Sequence, residues 1–172
     1  MTRAEGENSH AEGNNTLATG ANSHTEGVTT TAAGIGAHAE GCGNGTLSYY
    51  VDNIKYIGSG AHGQYSHTEG GNSWTFASYA HAEGNNTYAV GQSSHTEGES
   101  SHARGQASHA EGRYAEADGI YSHAEGYATK ALGESAHAQG YFTVAAGGYQ
   151  QVIGRFNIED NFNDFPEWTA NT

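Results

Sequence analysis

The sequence predicts an all-β protein in which the chain winds into a parallel β-solenoid, or β-roll, built from 14-residue coils. Glycine recurs every seven residues, small residues occupy fixed places before each glycine, and the seven-residue units alternate between two types. A motif that repeats along most of a chain is typical of solenoids, in which each repeat packs on the next. The composition alone, with 35 % hydrophobic residues, would suggest disorder, but the regular spacing argues against it.

Glycine marks the end of each seven-residue unit. We expect each glycine to form a corner where φ can be positive, and the next two residues, such as Asn14-Asn15, to form a turn. Ala77 takes the place of glycine in one unit. The series consists of Gly6, Gly13, Gly20, Gly27, Gly34, Gly41, Gly63, Gly70, Gly84, Gly91, Gly98, Gly105, Gly112, Gly119, Gly126, Gly133, Gly140 and Gly147.

Small side chains precede each glycine at two positions. The residue two places before is Ala or Thr, and the residue four places before is usually Ser, Thr or Ala, as with Ser9 and Ala11 before Gly13. Positions two apart share one face of a strand. A face restricted to Ala, Ser and Thr implies a very thin interior between two closely apposed sheets.

The units alternate in type, which sets the length of a coil. Units that end in SHAEG-like strings alternate with more variable ones such as TLATG and TYAVG. The true repeat is therefore a pair of seven-residue units, with two short strands per coil and two parallel sheets back to back. Roughly ten coils at about 4.8 Å each predict a rod on the order of 50 Å long.

The charge and composition exclude several classes of function. A formal charge of −13, with six Lys and Arg residues, argues against nucleic acid or an anionic membrane as a partner. There is no apolar run long enough for membrane insertion and no signal peptide, and the lone Cys42 cannot form an internal disulfide. The chain opens within a repeat, at Arg3, so we interpret it as a segment of a longer protein. We expect no cofactor.

The strong units place His and Glu at constant positions, with side chains opposite to the small inward ones. Stacked coils would put His above His, each beside a carboxylate. We interpret these columns as a subunit interface. The columns contain His10, Glu12, His24, Glu26, His38, Glu40, His67, Glu69, His81, Glu83, His95, Glu97, His109, Glu111, His123, Glu125 and His137, with Gln139 closing the Glu series.

Three interpretations of these columns stay open. A solvated polar face should drift in sequence, and this one has not. A metal array uses competent ligands, but a continuous ladder lacks the closed group of three or four ligands that a discrete site requires, so we assign no metal site. An interface in which His donates to a neighbouring chain's Glu would satisfy buried polar groups, and we favour it. This interface should loosen at acid pH.

One weak unit is interrupted by an insertion at about residues 42–62. It contains two β-prone runs joined by a turn at Asp52-Asn53, which predicts a hairpin. An exposed Tyr-rich hairpin is a candidate receptor or glycan contact, and the alternative is that it only covers the flank of the roll. The candidate ligand-binding residues are Tyr49, Tyr50, Lys55 and Tyr56.

Further aromatic residues are expected on the surface, where they suit sugar stacking or brace neighbouring coils. They are Tyr65, Trp74, Phe76, Tyr79, Tyr88, Tyr114, Tyr121, Tyr127, Tyr141 and Phe142.

The C-terminal end carries the densest apolar patch. We expect residues 148–160 to close the roll of residues 1–147, and residues 161–172 to form a linker into a further domain. An open solenoid end must be capped to prevent edge pairing. The capping residues, which we also assign to the trimer interface, are Val152, Ile153, Phe156 and Ile158.

The 14-residue coil with Ser-x-Ala-x-Gly strands resembles the head of YadA-like trimeric adhesins, and the SHAEG repeats are closer to the shafts of phage and prophage tail fibres. The segment from Gly148 to Asp160 is similar to the motif that closes the roll in such fibres. The resemblance implies a left-handed roll and a homotrimeric fibre. YadA-like heads carry apolar residues where this chain has His and Glu, so their trimer packing cannot be transferred directly.

The function that we expect is structural: a tail-fibre shaft in the virion, made in the bacterial cytoplasm, that supports attachment to the host surface. The partners would be two further copies of the chain and a bacterial surface glycan or other receptor. The alternative is an adhesin or carbohydrate-binding module that uses the hairpin. We expect no enzyme, because nine near-identical His and Glu positions on a ridge are repetition, whereas catalysis needs one unusual site in a pocket.

Overall fold

The computed structural model describes the backbone of residues 1–43, 48–51 and 54–156, and the side chains of these ranges except 48–51 and 54–57. The described chain is all-β, with two ten-stranded parallel sheets and one two-stranded antiparallel sheet. None of the described segments forms a helix that could span a membrane. The predicted parallel β-solenoid of about ten coils is confirmed.

Odd and even strands fall into separate sheets because each coil contributes one strand to each. Sheet one contains β1 (Arg3–Ala4), β3 (Leu17–Ala18), β5 (Thr30–Ala32), β9 (Ser59–Ala61), β11 (Trp74–Thr75), β13 (Tyr88–Ala89), β15 (His102–Ala103), β17 (Glu116–Ala117), β19 (Lys130–Ala131) and β21 (Val144–Ala145). Sheet two contains β2 (His10–Ala11), β4 (His24–Thr25), β6 (His38–Ala39), β10 (His67–Thr68), β12 (His81–Ala82), β14 (His95–Glu99), β16 (His109–Arg113), β18 (His123–Tyr127), β20 (His137–Tyr141) and β22 (Gln151–Arg155).

Strand pairing follows the 14-residue period. In sheet two, His95 pairs with His109 and Glu97 with Glu111, and the backbone N–H of His95 donates to the carbonyl of Ser108 at 2.9 Å. Each side chain therefore lies directly over its counterpart in the next coil.

The insertion leaves this register intact. His38 pairs with His67, so fifteen residues are added to one 14-residue coil without breaking sheet two. Within the insertion, β7 (Ser48–Val51) and β8 (Ile54–Ile57) pair antiparallel and form a hairpin. The hairpin leaves the roll in the connection from sheet two to sheet one.

The interior contains almost only Ala, Ser and Thr. Ala89, Ala103, Ala117 and Thr96, for example, are fully buried between the sheets. Such short side chains allow the sheets to approach closely, as the sequence predicts.

In four strong units the serine before histidine has a specific bonding role, whereas the equivalent hydroxyls of Ser94 and Ser122 have no partner among the described residues. The hydroxyls of Ser9, Ser23, Ser66 and Ser108 each donate to the carbonyl of the glycine three residues earlier, at 2.7 Å. A buried hydroxyl needs a partner, and this bond supplies one while fixing the turn that leads into sheet two.

At both corners of a coil the backbone of the next coil lies against the glycine, and only the corner after sheet two also has a positive φ. After sheet two, glycines such as Gly98 have a positive φ of 98°, as expected. After sheet one, glycines such as Gly105 do not have a positive φ, but a Cβ there would collide with the backbone carbonyl of Gly119 in the next coil. Close approach of successive coils therefore disfavours side chains at this corner, where Ala77 is the single departure from glycine among the described coils.

The corner glycines provide a test with an internal control. Gly105→Ala should lower the free energy of unfolding by about 2 kcal/mol or more, because the next coil has to shift. Gly147 occupies the equivalent corner of the last coil, where the nearest atom to an added Cβ is the Gln150 Oε1 at 3.5 Å. Gly147→Ala should therefore have little effect. Urea denaturation followed by circular dichroism measures both, and equal destabilisation would contradict the close-approach explanation.

Candidate functional site

Sheet two carries two continuous columns of side chains on its outer surface. In each strand, His and Glu flank a buried small residue, so alternation turns both outward. Most of these side chains are about one-third exposed. We call the nine histidines the His column and the carboxylates two residues later the Glu column. The His column consists of His10, His24, His38, His67, His81, His95, His109, His123 and His137.

The imidazole rings of the His column are stacked. Successive ring centroids lie 4.7–5.0 Å apart, and the interplanar angles are between 1° and 15°. The spacing equals the distance between neighbouring strands, so the backbone imposes it. The stack is continuous across the insertion, between His38 and His67.

The carboxylates of the Glu column approach the Nε2 edge of the rings. The Nε2 atoms of His109 and His123 both lie 3.9 Å from the carboxylate of Glu111, and those of His38 and His67 both lie 4.0 Å from that of Glu40. These distances are too long for hydrogen bonds. Each of these carboxylates therefore faces two rings of its own chain without bonding to either.

The Nε2 atoms are buried even though the rings are partly exposed. In eight of the nine histidines Nε2 has no hydrogen-bond partner within the described part of the chain. Burial of a polar atom without a partner costs about 1–3 kcal/mol. The eight residues are His24, His38, His67, His81, His95, His109, His123 and His137.

The environment keeps part of the His column neutral. Burial lowers the pKa of His38, His81 and His123, and the histidines directly above and below lower it further. The Glu residues beside each ring act in the opposite direction but do not reverse the shift.

The columns form closed groups of three potential ligands. In several places a His ring nitrogen, a carboxylate oxygen and a third ligand atom from either residue type all lie within 4.8 Å of one another. From the sequence we expect the continuous ladder to lack a three-ligand group, whereas the register brings three potential ligand atoms within 4.8 Å of one another in a single chain. Examples are His81, Glu83 and His95; His95, Glu97 and His109; and His109, Glu111 and His123.

The outer surface of sheet one has no such constancy. The position equivalent to the His column holds Trp74, Tyr88, His102, Glu116 and Lys130 in successive coils. The amino group of Lys130 donates to Glu116 at 3.3 Å. Side chains change from coil to coil here, while sheet two repeats the same pair.

Two of the aromatic residues expected on the surface are buried. Trp74 is 1 % and Tyr88 9 % exposed, and their rings stack at 5.1 Å. They lie on the outer surface of sheet one, so part of that surface is covered. In contrast, Tyr65, Tyr79 and Tyr121 lie at turns and are more than half exposed.

The hairpin residues Tyr49, Tyr50, Lys55 and Tyr56 lie on β7 and β8. Tyr49 is opposite Tyr56, and Tyr50 is opposite Lys55. Their side chains lie outside the described residues, so their role in binding stays a prediction.

The C-terminal candidates continue the columns. Val152 follows Ala138 in the buried position and packs against the alanine core, whereas Ile153 follows Gln139 in the Glu column and is 61 % exposed. Phe156 is 53 % exposed, and Ile158 lies outside the described residues. The Glu column thus ends in an exposed apolar side chain.

A second cluster brings together aromatic residues that were identified separately from the sequence and Arg residues that were not. Its members occupy the first or second position after the regularly spaced glycine of sheet two, at the last residue of the strand or just beyond it. The signal in the sequence is a 14-residue period among aromatic and Arg residues. Tyr127 and Tyr141 stack at 5.1 Å, and the guanidinium of Arg155 lies 5.1 Å from the Tyr141 ring centroid. We call this cluster the aromatic flank. It consists of Arg113, Tyr114, Tyr127, Tyr141, Phe142, Arg155 and Phe156.

Comparison with known proteins does not assign the chain to a family. No family model matches the sequence, and no curated protein matches it.

Sheet one contains the most strongly perturbed titratable group among the described residues. His62 lies in the outer surface, stacked 5.8 Å from Phe76, and burial lowers its pKa to about 4. Below pH 6.5 the unfolded chain takes up a proton that the folded chain excludes until about pH 4.

The free energy of unfolding should therefore decrease as the pH falls from 6.5 to about 4. His62 should account for roughly 3 kcal/mol of this decrease. The slope of the unfolding free energy against pH reports the number of protons taken up on unfolding, and in His62→Gln this number should be smaller by up to one. Urea denaturation at several pH values measures the slope. Asn72→Gln, at a turn outside the outer surface of sheet one, is a control that should keep the wild-type slope, and an unchanged slope in His62→Gln would contradict the assignment.

Proposed function

We propose that the chain is a non-enzymatic structural segment of a phage-type tail fibre, in which three copies associate through sheet two and support attachment to a bacterial surface. The observation that carries this proposal is the contrast between the two outer surfaces. Sheet two repeats His in nine coils, paired with Glu in eight of them and with Gln139 in the ninth, whereas the outer residues of sheet one change from coil to coil.

A constant surface suits contact between identical rods. If three copies lie parallel about an axis, each coil meets the same coil of its neighbours, and every level requires the same chemistry. The outer surface of sheet two, whose His and Glu columns repeat once per coil, satisfies that requirement at every level of the rod.

The position of the insertion supports the same arrangement. The hairpin of β7 and β8 leaves from the connection that leads into sheet one, and His38 still stacks on His67 at 4.8 Å. Fifteen additional residues thus leave the proposed axial surface continuous. An insertion there would separate the three rods.

The exposed atoms of the His and Glu columns determine which groups could form contacts between chains. The Nε2 atoms are buried and face the chain's own carboxylates, so contacts between chains would involve the exposed remainder of each ring and the exposed carboxylate oxygens. At the C-terminal end, the exposed Ile153 would add an apolar contact at the axis.

The mass in solution tests the trimer. We expect three times the chain mass of 18.0 kDa by light scattering at pH 7.5, and a lower mass at pH 4.5, where stacked imidazolium groups repel. A monodisperse monomer at pH 7.5 would overturn the proposed axial interface. A trimer that persists unchanged at pH 4.5 would exclude the His and Glu columns as its basis.

A matched pair of variants locates the interface. Glu97→Lys with Glu111→Lys places cations of three chains together at the proposed axis and should dissociate the trimer. Glu5→Lys with Glu116→Lys makes the same change in charge on the outer surface of sheet one, and should leave the mass unchanged.

The aromatic flank favours a second candidate function, a carbohydrate-binding surface on the rod. Tyr114, Tyr141, Phe142 and Phe156 are 38–53 % exposed and form ring contacts with one another or with Tyr127. Exposed rings beside guanidinium groups suit stacking against sugars and hydrogen bonds to their hydroxyls.

An array of bacterial surface glycans tests this second candidate. The wild-type protein should bind a subset of the array, and Tyr141→Ala with Phe142→Ala should reduce that binding at least tenfold. Tyr65→Ala with Tyr79→Ala removes a stacked, exposed pair on the opposite flank and should leave binding unchanged. If the wild-type protein binds no glycan on the array, the carbohydrate-binding function is wrong and the structural function alone stays as a proposal.

A further inference from the structure

We propose that sheet two contains two binding sites for a zinc-like divalent transition-metal ion within each chain. Each site uses the Nε2 atoms of two successive histidines of the His column and the carboxylate between them. This inference is independent of the proposed trimer, because all ligands come from one chain. The first site consists of His81, Glu83 and His95, and the second of His109, Glu111 and His123.

The first argument is the state of the Nε2 atoms. In all four histidines Nε2 is buried and lacks a hydrogen-bond partner, and in three of them it lies 3.9 Å from a carboxylate oxygen. The gap is too long for a hydrogen bond. A cation between nitrogen and oxygen would give both atoms a partner.

The second argument is distance. When three ligand atoms lie within 4.8 Å of one another, a point exists no more than about 2.8 Å from each, and Zn²⁺ requires roughly 2.0–2.2 Å. Small rotations of side chains that are one-third exposed suffice to close the difference of about 0.6–0.8 Å.

The third argument is the chemistry of the donor set. Two neutral imidazoles and one carboxylate are ligands that zinc and its first-row neighbours accept, with water in the remaining position. Calcium and magnesium prefer oxygen ligands throughout and do not suit this set. The protein also has a formal charge of −13, which favours cation uptake.

The stacking register limits which groups can be filled together. The group of His95, Glu97 and His109 lies between the two proposed sites and shares one histidine with each. An Nε2 atom has one lone pair and binds one metal ion. When the two outer groups are occupied, the middle group is therefore empty.

This exclusion gives the test its specificity. Protein stripped with a chelator is titrated with Zn²⁺ by calorimetry at neutral pH, and Co²⁺ is used in parallel because its visible spectrum reports tetrahedral coordination. Glu97→Gln should bind as many ions as wild type, because the middle group is not used. Glu83→Gln with Glu97→Gln and Glu111→Gln should bind two ions fewer and lose the corresponding Co²⁺ absorption.

The control is a triple variant with the same change in charge. Glu99→Gln, Glu116→Gln and Glu134→Gln lie outside the Glu column and should keep the wild-type number of ions. Circular dichroism and melting without metal establish that each variant is folded. Zn²⁺ should raise the melting temperature of wild type, Glu97→Gln and the control, and should not raise that of the triple variant of the Glu column. Equal ion counts in both triple variants, loss of an ion in Glu97→Gln, or no binding by wild type would each overturn the proposal.

Discussion

In-register parallel pairing is the interaction on which the rest of the structure depends. Each residue lies over its counterpart in the next coil, as His95 does over His109, and the backbone hydrogen bonds fix that relation at every coil. Side chains at equivalent positions of successive coils therefore lie about 4.8 Å apart along the rod, and a residue type that recurs every 14 residues forms a continuous column. Stacked imidazoles, a line of carboxylates and a line of buried alanines follow from this one register, and so does the ability of the roll to carry a long insertion in one connection.

The small interior is a second constraint, which follows from winding both sheets within one 14-residue coil. Two strands and two turns leave no length for a wide core, so the buried positions accept Ala, Ser and Thr, and the corner after sheet one accepts glycine because the next coil's backbone lies against it. Little apolar area is buried per residue. Stability then depends largely on satisfied backbone hydrogen bonds and on serine hydroxyls that bond to corner carbonyls, as in Ser108 and Gly105.

The repeat made the architecture predictable, because spacing alone indicates which side chains share a face and which glycines form corners. The coil length, the two sheets, the buried Ala positions and the outward His and Glu columns all follow from it. The close approach of Gly105 to the next coil, the burial of Trp74 and the direction of the His Nε2 atoms did not, since these depend on distances and rotamers that a periodic pattern does not contain. The aromatic rings of the aromatic flank were named from the sequence, but their assembly with Arg113 and Arg155 into one cluster was not predicted, because the residue types at these positions differ from coil to coil.

The Glu column presents an energetic problem that both proposals address. Neighbouring carboxylates at strand spacing repel one another by about 1 kcal/mol per pair in water, and by more where they are partly buried. Neutral imidazoles do not offset this repulsion, and burial favours the neutral form in His38, His81 and His123. The basic residues bonded to Glu and Asp in sheet one, such as Lys130 and Arg104, lie on the opposite surface. Glu recurs in eight of the coils, and only Glu125 accepts a hydrogen bond from a neighbour in the column, Gln139, among the described residues. Positive charge or hydrogen-bond donors from outside the chain would offset the remaining repulsion. In the two proposals, divalent ions between the rings would supply the first, and the exposed ring edges of neighbouring chains would supply the second.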